Sequence, residues 1–300
     1  MICAVTDIGS NTIKLSVYKI VDGIVKNLFS EKESAGLVSY LEDGKLSEEG
    51  IEILIEVLGK FQRIISNFDD IEDSFAIATA TIRNATNRKE ILERVKSKIG
   101  IEIEVLSGEE EAKFAFIGAA EYVGAEAGVL TDIGGASAEV VIFDHAKVMQ
   151  STSIDIGSLS AFRNFSSGLF LNKDEKKKLE KEVKKLLDKS KISKEEHEIL
   201  CAVGGSARAC GKLYNSYFGK DPDNLIIVKE DLDRLIDEVT EMTDKEKFDL
   251  IIKIKADRIH TLIPGMIILT TIAKYFSSDI IKISNTGLRE GYIYNKVLNN

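Results

Sequence analysis

Apolar positions along the chain switch between a period of two and a period near 3.6, and the switching divides the sequence into alternating strands and helices. Ala4-Val5-Thr6-Asp7-Ile8 and Ile13-Lys14-Leu15-Ser16-Val17-Tyr18 read as strands on either side of Gly9-Ser10-Asn11-Thr12. A third strand over 23–29 follows the turn at Asp22-Gly23. Ser47 before Glu48 and Glu49 marks a helix start, since its hydroxyl can accept from an orphan N–H and the acids suit the positive end of the helix dipole. That helix runs to about 67, with Ile51, Leu54, Ile55, Leu58, Phe61 and Ile65 as its buried stripe. A strand over 74–81, a helix over 88–99 and a strand over 101–106 come next, and Ser107 with Glu110 has the spacing of a capping box opening another helix.

The second half repeats the alternation. Apolar runs over 128–131 and 140–143 flank Asp132-Ile133-Gly134-Gly135-Ala136-Ser137-Ala138-Glu139, the pattern of a hairpin whose turn admits a close approach to the backbone. A strand over 149–156 ends in Asp155-Ile156-Gly157-Ser158, a weaker echo of that turn. The lysine-rich stretch 173–194 holds Leu179, Val183, Leu186 and Leu187 at helical spacing. Its lysines read first as a solvated face and second as an attraction for a long polyanion. A strand over 198–203 enters Gly204-Gly205-Ser206-Ala207, which opens a helix whose donors suit a phosphate or a ribose. Helices over 229–242 and 244–253, an apolar helix over 266–276 behind Pro264-Gly265, a strand over 280–284 and a terminal helix to 298 complete the reading. Interleaved strands and helices place the chain in the α/β class.

The chemistry concentrates in two matching segments, Thr6-Asp7-Ile8-Gly9 and Thr131-Asp132-Ile133-Gly134. Glycines at 134 and 135 let the turn's N–H groups converge on a phosphate, and an aspartate beside phosphates signals a divalent cation between them. Repetition at half-domain spacing points to two like domains that each offer an aspartate and a phosphate-binding turn to a shared cleft. Arg83 sits just past a strand end, where α/β folds place ligands, and its guanidinium suits phosphate oxygens. Among Glu109, Glu110 and Glu111, the capping box accounts for Glu110 and the helix dipole for Glu109. A carboxylate on this first turn could orient or deprotonate a water, but residue physics alone does not choose among the three.

Composition narrows the field. With 300 residues, 44% hydrophobic content and two prolines, the chain suits two globular domains packed together without a long linker. It holds no apolar run of membrane-spanning length and starts directly in a strand without a signal-peptide layout, which predicts a cytoplasmic protein with no membrane partner. Cys3, Cys201 and Cys210 lack metal-ligand spacing and read as buried thiols, and the three histidines lie in unlike contexts, so any metal is a hard cation held by oxygen. A net charge of −9 disfavours nucleic acid as a partner, while a smaller polyanion stays compatible where local positive charge and metal outweigh the global field.

Taken in order, Asp7-Ile8-Gly9-Ser10-Asn11-Thr12, Ala78-Thr79-Ala80-Thr81-Ile82-Arg83-Asn84-Ala85, Ser107-Gly108-Glu109-Glu110-Glu111-Ala112, Asp132 to Glu139, Gly204-Gly205-Ser206-Ala207 and Gly287-Leu288-Arg289-Glu290-Gly291 resemble the motifs of the exopolyphosphatase/guanosine pentaphosphatase (Ppx/GppA) family in its short two-domain form. The resemblance implies two duplicated actin-like (ribonuclease H-like) domains with an interdomain active-site cleft. It places one domain at 1–118, with the C-terminal helix 287–300 packing back on it, and the other at 119–286. It implies Mg2+ held by Asp7, Asp132 and Glu139, and Glu111 as the catalytic glutamate. Ser10, Asn11, Gly134, Gly135 and Ser137 match the phosphate-binding turns and Arg83 the arginine on the phosphate chain, while Thr12, Lys14, Gly204 and Gly205 complete the candidate substrate contacts. The implied activity is release of terminal phosphate from inorganic polyphosphate or guanosine pentaphosphate, with polyphosphate or guanosine penta/tetraphosphate as partner and a homodimer as assembly. An actin-fold small-molecule kinase or ATPase, and a low-turnover polyphosphate or nucleotide sensor, are the alternatives. The chain departs from the family pattern at Ala136, where a third glycine is usual, at Ala138, where threonine is usual, and at Gly36, which aligns with an arginine.

Overall fold

The computed structural model describes residues 1–120, 127–145 and 147–298. The chain forms two compact units, Met1–Glu111 with Ile293–Asn300, and Ala112–Tyr292.

The first unit is built on a five-stranded sheet in the order β3-β2-β1-β6-β7. Its elements are β1 (Ile2–Ile8), β2 (Ile13–Val21), β3 (Ile24–Glu33), the short pair β4 (Leu41–Glu42) and β5 (Lys45–Leu46), α1 (Glu48–Ile65), β6 (Ile71–Ala78), α2 (Ala80–Asn84), α3 (Arg88–Ile99), β7 (Ile103–Val105) and the start of α4 (Gly108–Gly118). β1, β2 and β3 form an antiparallel meander, with Asp22 and Gly23 both at positive φ in the tight turn joining β2 to β3. β6 and β7 add in parallel. Ile13, Leu15 and Val17 of β2 meet Ile51, Leu54, Leu58 and Phe61 of α1 and Ile91 and Val95 of α3 in one core. The Ser47 hydroxyl caps α1, accepting from the Gly50 N–H, and Ile65 at the helix end stays partly exposed.

The second unit repeats the pattern with a sheet ordered β10-β9-β8-β11-β13-β12. It contains β8 (Ala127–Ile133), β9 (Ala138–Asp144), β10 (Lys147–Ile154), α5 (Ser158–Phe165), α6 (Lys173–Ser190), β11 (Ile199–Val203), α7 (Gly204–Tyr217), β12 (Ile226–Val228), α8 (Lys229–Glu241), α9 (Asp244–Lys255), α10 (Leu262–Tyr275), β13 (Ile280–Ile283) and α11 (Leu288–Lys296), the last crossing back into the first unit. Its first five strands reproduce the connectivity of the first sheet, and β12 adds an antiparallel edge. The apolar α10 lies in the main core, with Met266, Ile267, Leu269 and Ile272 against Leu179 and Val183 of α6 and Leu213 of α7. On the other face, Ala112, Ala115, Phe116 and Ala119 of the α4 region pack on Leu130, Val141 and Phe143. The Phe116 and Phe143 rings are 5.3 Å apart.

Several elements differ from the sequence reading. The strand expected over 74–81 ends at Ala78, and Ala80 to Asn84 form a short helix. Pro264 and Gly265 lie inside the first turn of α10, where proline has no helical N–H bond to lose, so the helix starts at Leu262. β12, only three residues long, carries no periodicity of its own and is specified by pairing with β13.

The three cysteines are free and buried, and burial pushes Cys3 up to about 11 and Cys201 and Cys210 each up to about 12. Since the thiolate is the nucleophile, native protein at pH 8 is expected to show no reaction with a disulfide-exchange reagent, and all three thiols are expected to react after unfolding in guanidinium. A fast-reacting thiol in the native protein would contradict this burial.

Candidate active site

In the first unit, β1 and β6 run parallel with Ile8 beside Ala78, so their carboxyl ends open on the same edge of the sheet. Asp7 lies one residue before the end of β1, opposite Lys14 on β2. The turn beyond it closes through Gly9 N–H donating to the Thr12 carbonyl at 3.1 Å. The Ser10 carbonyl accepts from Val38 N–H at 3.0 Å and the Asn11 carbonyl from Gly36 N–H at 2.9 Å, so the segment after β3 grips the turn from its carbonyl side. Gly36 has φ +57 with open space around a hypothetical Cβ, so backbone conformation favours glycine at the position where the family pattern has arginine.

Thr79 follows β6, and both its N–H (3.3 Å) and its hydroxyl (3.5 Å) donate to the Ile8 carbonyl. One turn further, in α2, Arg83 Nη1 donates to Glu111 Oε2 at 2.6 Å and to the Leu106 carbonyl at 3.2 Å. The pair is well buried, with 14% of the arginine side chain and 9% of the glutamate side chain exposed. Glu110, beside it, forms the capping box: Ser107 N–H donates to Glu110 Oε2 at 2.9 Å, and Glu110 N–H donates to the Ser107 hydroxyl at 3.1 Å. Of the three glutamates, the structure commits Glu110 to the helix end and joins Glu111 to Arg83.

The second unit builds its turn by the same means. Asp132 and Glu139 face each other across β8 and β9, and Gly134 N–H donates to the Ser137 carbonyl at 3.0 Å. Glu139 is 1% exposed, and its Oε1 accepts from the hydroxyls of Ser137 at 2.9 Å and Ser153 at 2.8 Å. The start of α5 grips the turn's carbonyls: Ser158 N–H donates to Gly134, while Leu159 and Ser160 N–H both donate to Gly135, each at 2.9 Å. A Cβ at Gly157 would lie 2.5 Å from the Gly135 carbonyl carbon, so glycine is required for this contact. The Asp155-Ile156-Gly157-Ser158 echo is therefore the clamp on the turn. Ala136 is not at positive φ, and Ala138 is fully buried in the unit's core, so neither departure from the family pattern strains the backbone.

Gly204 opens α7 at φ +88, and a Cβ there would fall 2.2 Å from Asp132 Oδ1. Beside it lies Arg258, a residue the sequence reading passed over. A Cβ on Gly205 would meet its Nη2 at 2.1 Å, and its Nη1 donates to the Ser206 hydroxyl at 3.2 Å. Ser206 donates to Ser158 Oγ at 3.4 Å, and Ser158 to the Gly134 carbonyl at 3.1 Å, so a chain of hydroxyls joins Arg258 to the glycine turn. Arg208, one turn into α7, donates to the Ser284 carbonyl at 3.2 Å. Burial lowers the pKa of both guanidinium groups from the ordinary arginine value, while Asp132 acts in the opposite sense on each; Arg289 adds to the lowering at Arg208. Sequence periodicity held no signal for Arg258, because it lies between α9 and α10 and reaches the site only through the tertiary fold.

Among the described residues no group of three His, Cys, Asp or Glu side chains forms a preassembled metal cage. Asp7 and Asp132 each place a carboxylate near the end of a strand, the hard oxygen donor that magnesium takes. No helix of the described residues is long and apolar enough to cross a membrane.

The sequence profile of the Ppx/GppA phosphatase family matches residues 16–300. The solved structure of the Aquifex aeolicus member superposes with a TM-score of 0.82 at 27% identity, covering 100% of this chain and 98% of that one. An exopolyphosphatase structure from Cytophaga hutchinsonii gives a TM-score of 0.87 at 22% identity, with 100% and 98% covered, a likeness of fold. A Haemophilus influenzae protein provisionally named an exopolyphosphatase is 27% identical over 296 residues, 97% of this chain and 90% of its own length. A Vibrio parahaemolyticus protein named guanosine-5'-triphosphate,3'-diphosphate pyrophosphatase is 27% identical over 98% of this chain, a match that spans 59% of that longer protein. Glycine turns, the Arg83–Glu111 pair and the repeated sheet thus sit in a chain that belongs to the Ppx/GppA phosphatase family.

Proposed function

We propose that this protein hydrolyses the terminal phosphoric anhydride of inorganic polyphosphate or guanosine pentaphosphate and releases inorganic phosphate. The observation that carries the reading is the buried Arg83–Glu111 pair, which orients one carboxylate of an acidic helix start near the carboxyl ends of β1 and β6. In this reading Ser10, Asn11, Thr12, Lys14, Gly134, Gly135, Ser137, Gly204 and Gly205 are the phosphate-binding residues, and Arg83 adds a charged donor. Asp7 and Asp132, with Glu139 behind the second turn, would hold Mg2+, which when bound supplies neutralisation of phosphate charge. Glu111 aligns a water and accepts its proton as the water oxygen attacks the terminal phosphorus. The bridging P–O bond breaks, and the shortened chain leaves with the bonding electron pair. Such transfer depends on positioning and charge stabilisation more than on covalent catalysis.

The test is to incubate purified protein and Mg2+ with long-chain polyphosphate, guanosine pentaphosphate, and ATP with a sugar acceptor. Free phosphate from either of the first two is the expected result. Phosphate transferred to the acceptor, or tight binding with no release from any substrate, would overturn the hydrolase reading in favour of a kinase or a sensor respectively.

A further inference from the structure

The lysine face of α6 is not used by the proposed hydrolysis, and its surroundings show what it is suited to hold. The helix carries eight lysines and five acids in a protein of net charge −9. Each of those acids is committed to a helix end, an ion pair or a tyrosine. Asp174 lies in the first turn, at the positive end of the helix dipole. Glu175 is buried and accepts from Ser167 and from the Asn172 N–H, Glu180 lies 3.6 Å from Lys176, Glu182 pairs with Lys185, and Asp188 accepts from the Tyr275 hydroxyl. Lys173 and Lys176 reach across to Glu241 and Asp237 of α8. Lys177, Lys181, Lys184 and Lys189 remain, all exposed and, among the described residues, in none of these ion pairs, while Lys178, also exposed, acts on Glu175. They lie opposite the stripe of Leu179, Val183 and Leu187 that α6 buries.

We infer that this face is a secondary binding surface for the distal part of a linear inorganic polyphosphate, and the inference rests on the hydrolase reading above for the substrate class. Lys177 and Lys189 are twelve residues apart, about 18 Å along the helix, so the face suits an extended polyanion rather than one compact phosphate. Lysine is a point charge on a flexible stem and needs no fixed ligand geometry, as a flexible chain of repeating phosphates requires. The face also belongs to the same unit as the second turn. α5 starts on the carbonyls of Gly134 and Gly135 and runs for eight residues, and α6 begins at Lys173 after a short loop. Eight helical residues and a seven-residue loop put the start of α6 within about 4 nm of the turn, a span that an extended chain held there can cross.

The test compares binding of triphosphate and of polyphosphate of about one hundred units, a length far beyond the helix, by Glu111→Gln protein and by the same protein carrying K177Q, K181Q, K184Q and K189Q. The substitutions are on the solvent face, and an unchanged melting temperature checks the fold. The expected result is at least about tenfold weaker binding of the long chain, a salt dependence shallower by about three in the log–log slope, and unchanged triphosphate binding. Equal long-chain binding by both proteins, equal weakening for both ligands, or equally tight binding of a single-stranded RNA of the same length would overturn the inference. Lysine-dependent binding of the long chain without any triphosphate binding would support this surface while removing the hydrolase reading.

Discussion

Replacing Glu111 with glutamine is expected to lower kcat for phosphate release by about 10²–10⁴-fold, the usual contribution of a positioned proton acceptor, with little change in KM. The substitution keeps the shape of the side chain and an oxygen for Arg83 to bond at the 2.6 Å contact, and removes the charge and basicity. Arg83→Ala is expected to damage both activity and stability, because it strips the guanidinium from a carboxylate that is 9% exposed, a loss of about 3–5 kcal/mol for a broken buried pair. A double-mutant cycle separates these roles. If Glu111 acts in the reaction and Arg83 positions it, Arg83→Ala should reduce kcat much less in the Glu111→Gln background than in the parent. Residual activity of Glu111→Gln within tenfold of the parent would remove Glu111 from the chemistry.

How much of this site can be read from the sequence depends on whether a residue acts through local geometry or through distant packing. The Ser47 cap and the Ser107–Glu110 box are legible because donor and acceptor lie three residues apart, and both appear as hydrogen bonds. The two Asp-Ile-Gly turns are legible because strand, turn and strand are contiguous. What holds those turns is less so. The N–H groups of Gly36 and Val38 come from beyond β3, and those of Ser158, Leu159 and Ser160 from beyond β10, so each clamp is made only once a meander has folded. Arg258 reaches the second turn through Ser206 and Ser158, 52 and 100 residues before it in the chain, and no periodic pattern encodes such a relay. The family resemblance singles out Glu111 from three adjacent glutamates, and the structure adds a physical distinction, since Glu110 is committed to the helix cap and Glu111 pairs with Arg83.

The glycines of Gly287-Leu288-Arg289-Glu290-Gly291 also have a role that the motif alone does not reveal. A Cβ on Gly291 would lie 1.7 Å from the Phe114 carbonyl oxygen, and one on Gly118 would lie 1.9 Å from the Gly287 carbonyl oxygen, so α4 and α11 cross backbone to backbone. Phe114 and Tyr292 flank the crossing edge to face at 5.5 Å. The clash in Gly291→Ala is therefore expected to cost about 3 kcal/mol, the upper part of the range for overpacking, because the obstructing atoms are backbone and cannot rotate away. Set against the gain of about 1 kcal/mol that alanine usually brings over glycine in a helix, the net loss is about 2 kcal/mol. Gly59, inside α1 with nothing within 4 Å of a hypothetical Cβ, supplies the opposite case. Gly59→Ala is expected to raise stability by about 0.5–1 kcal/mol through helix propensity alone. Thermal unfolding of the two variants should therefore move in opposite directions, with Gly291→Ala lower by about 4–8 °C at the usual dependence of melting temperature on stability for a unit of this size. A Gly291→Ala protein as stable as the parent would mean that the two helices can separate without penalty, and that glycine is not needed to bring them together.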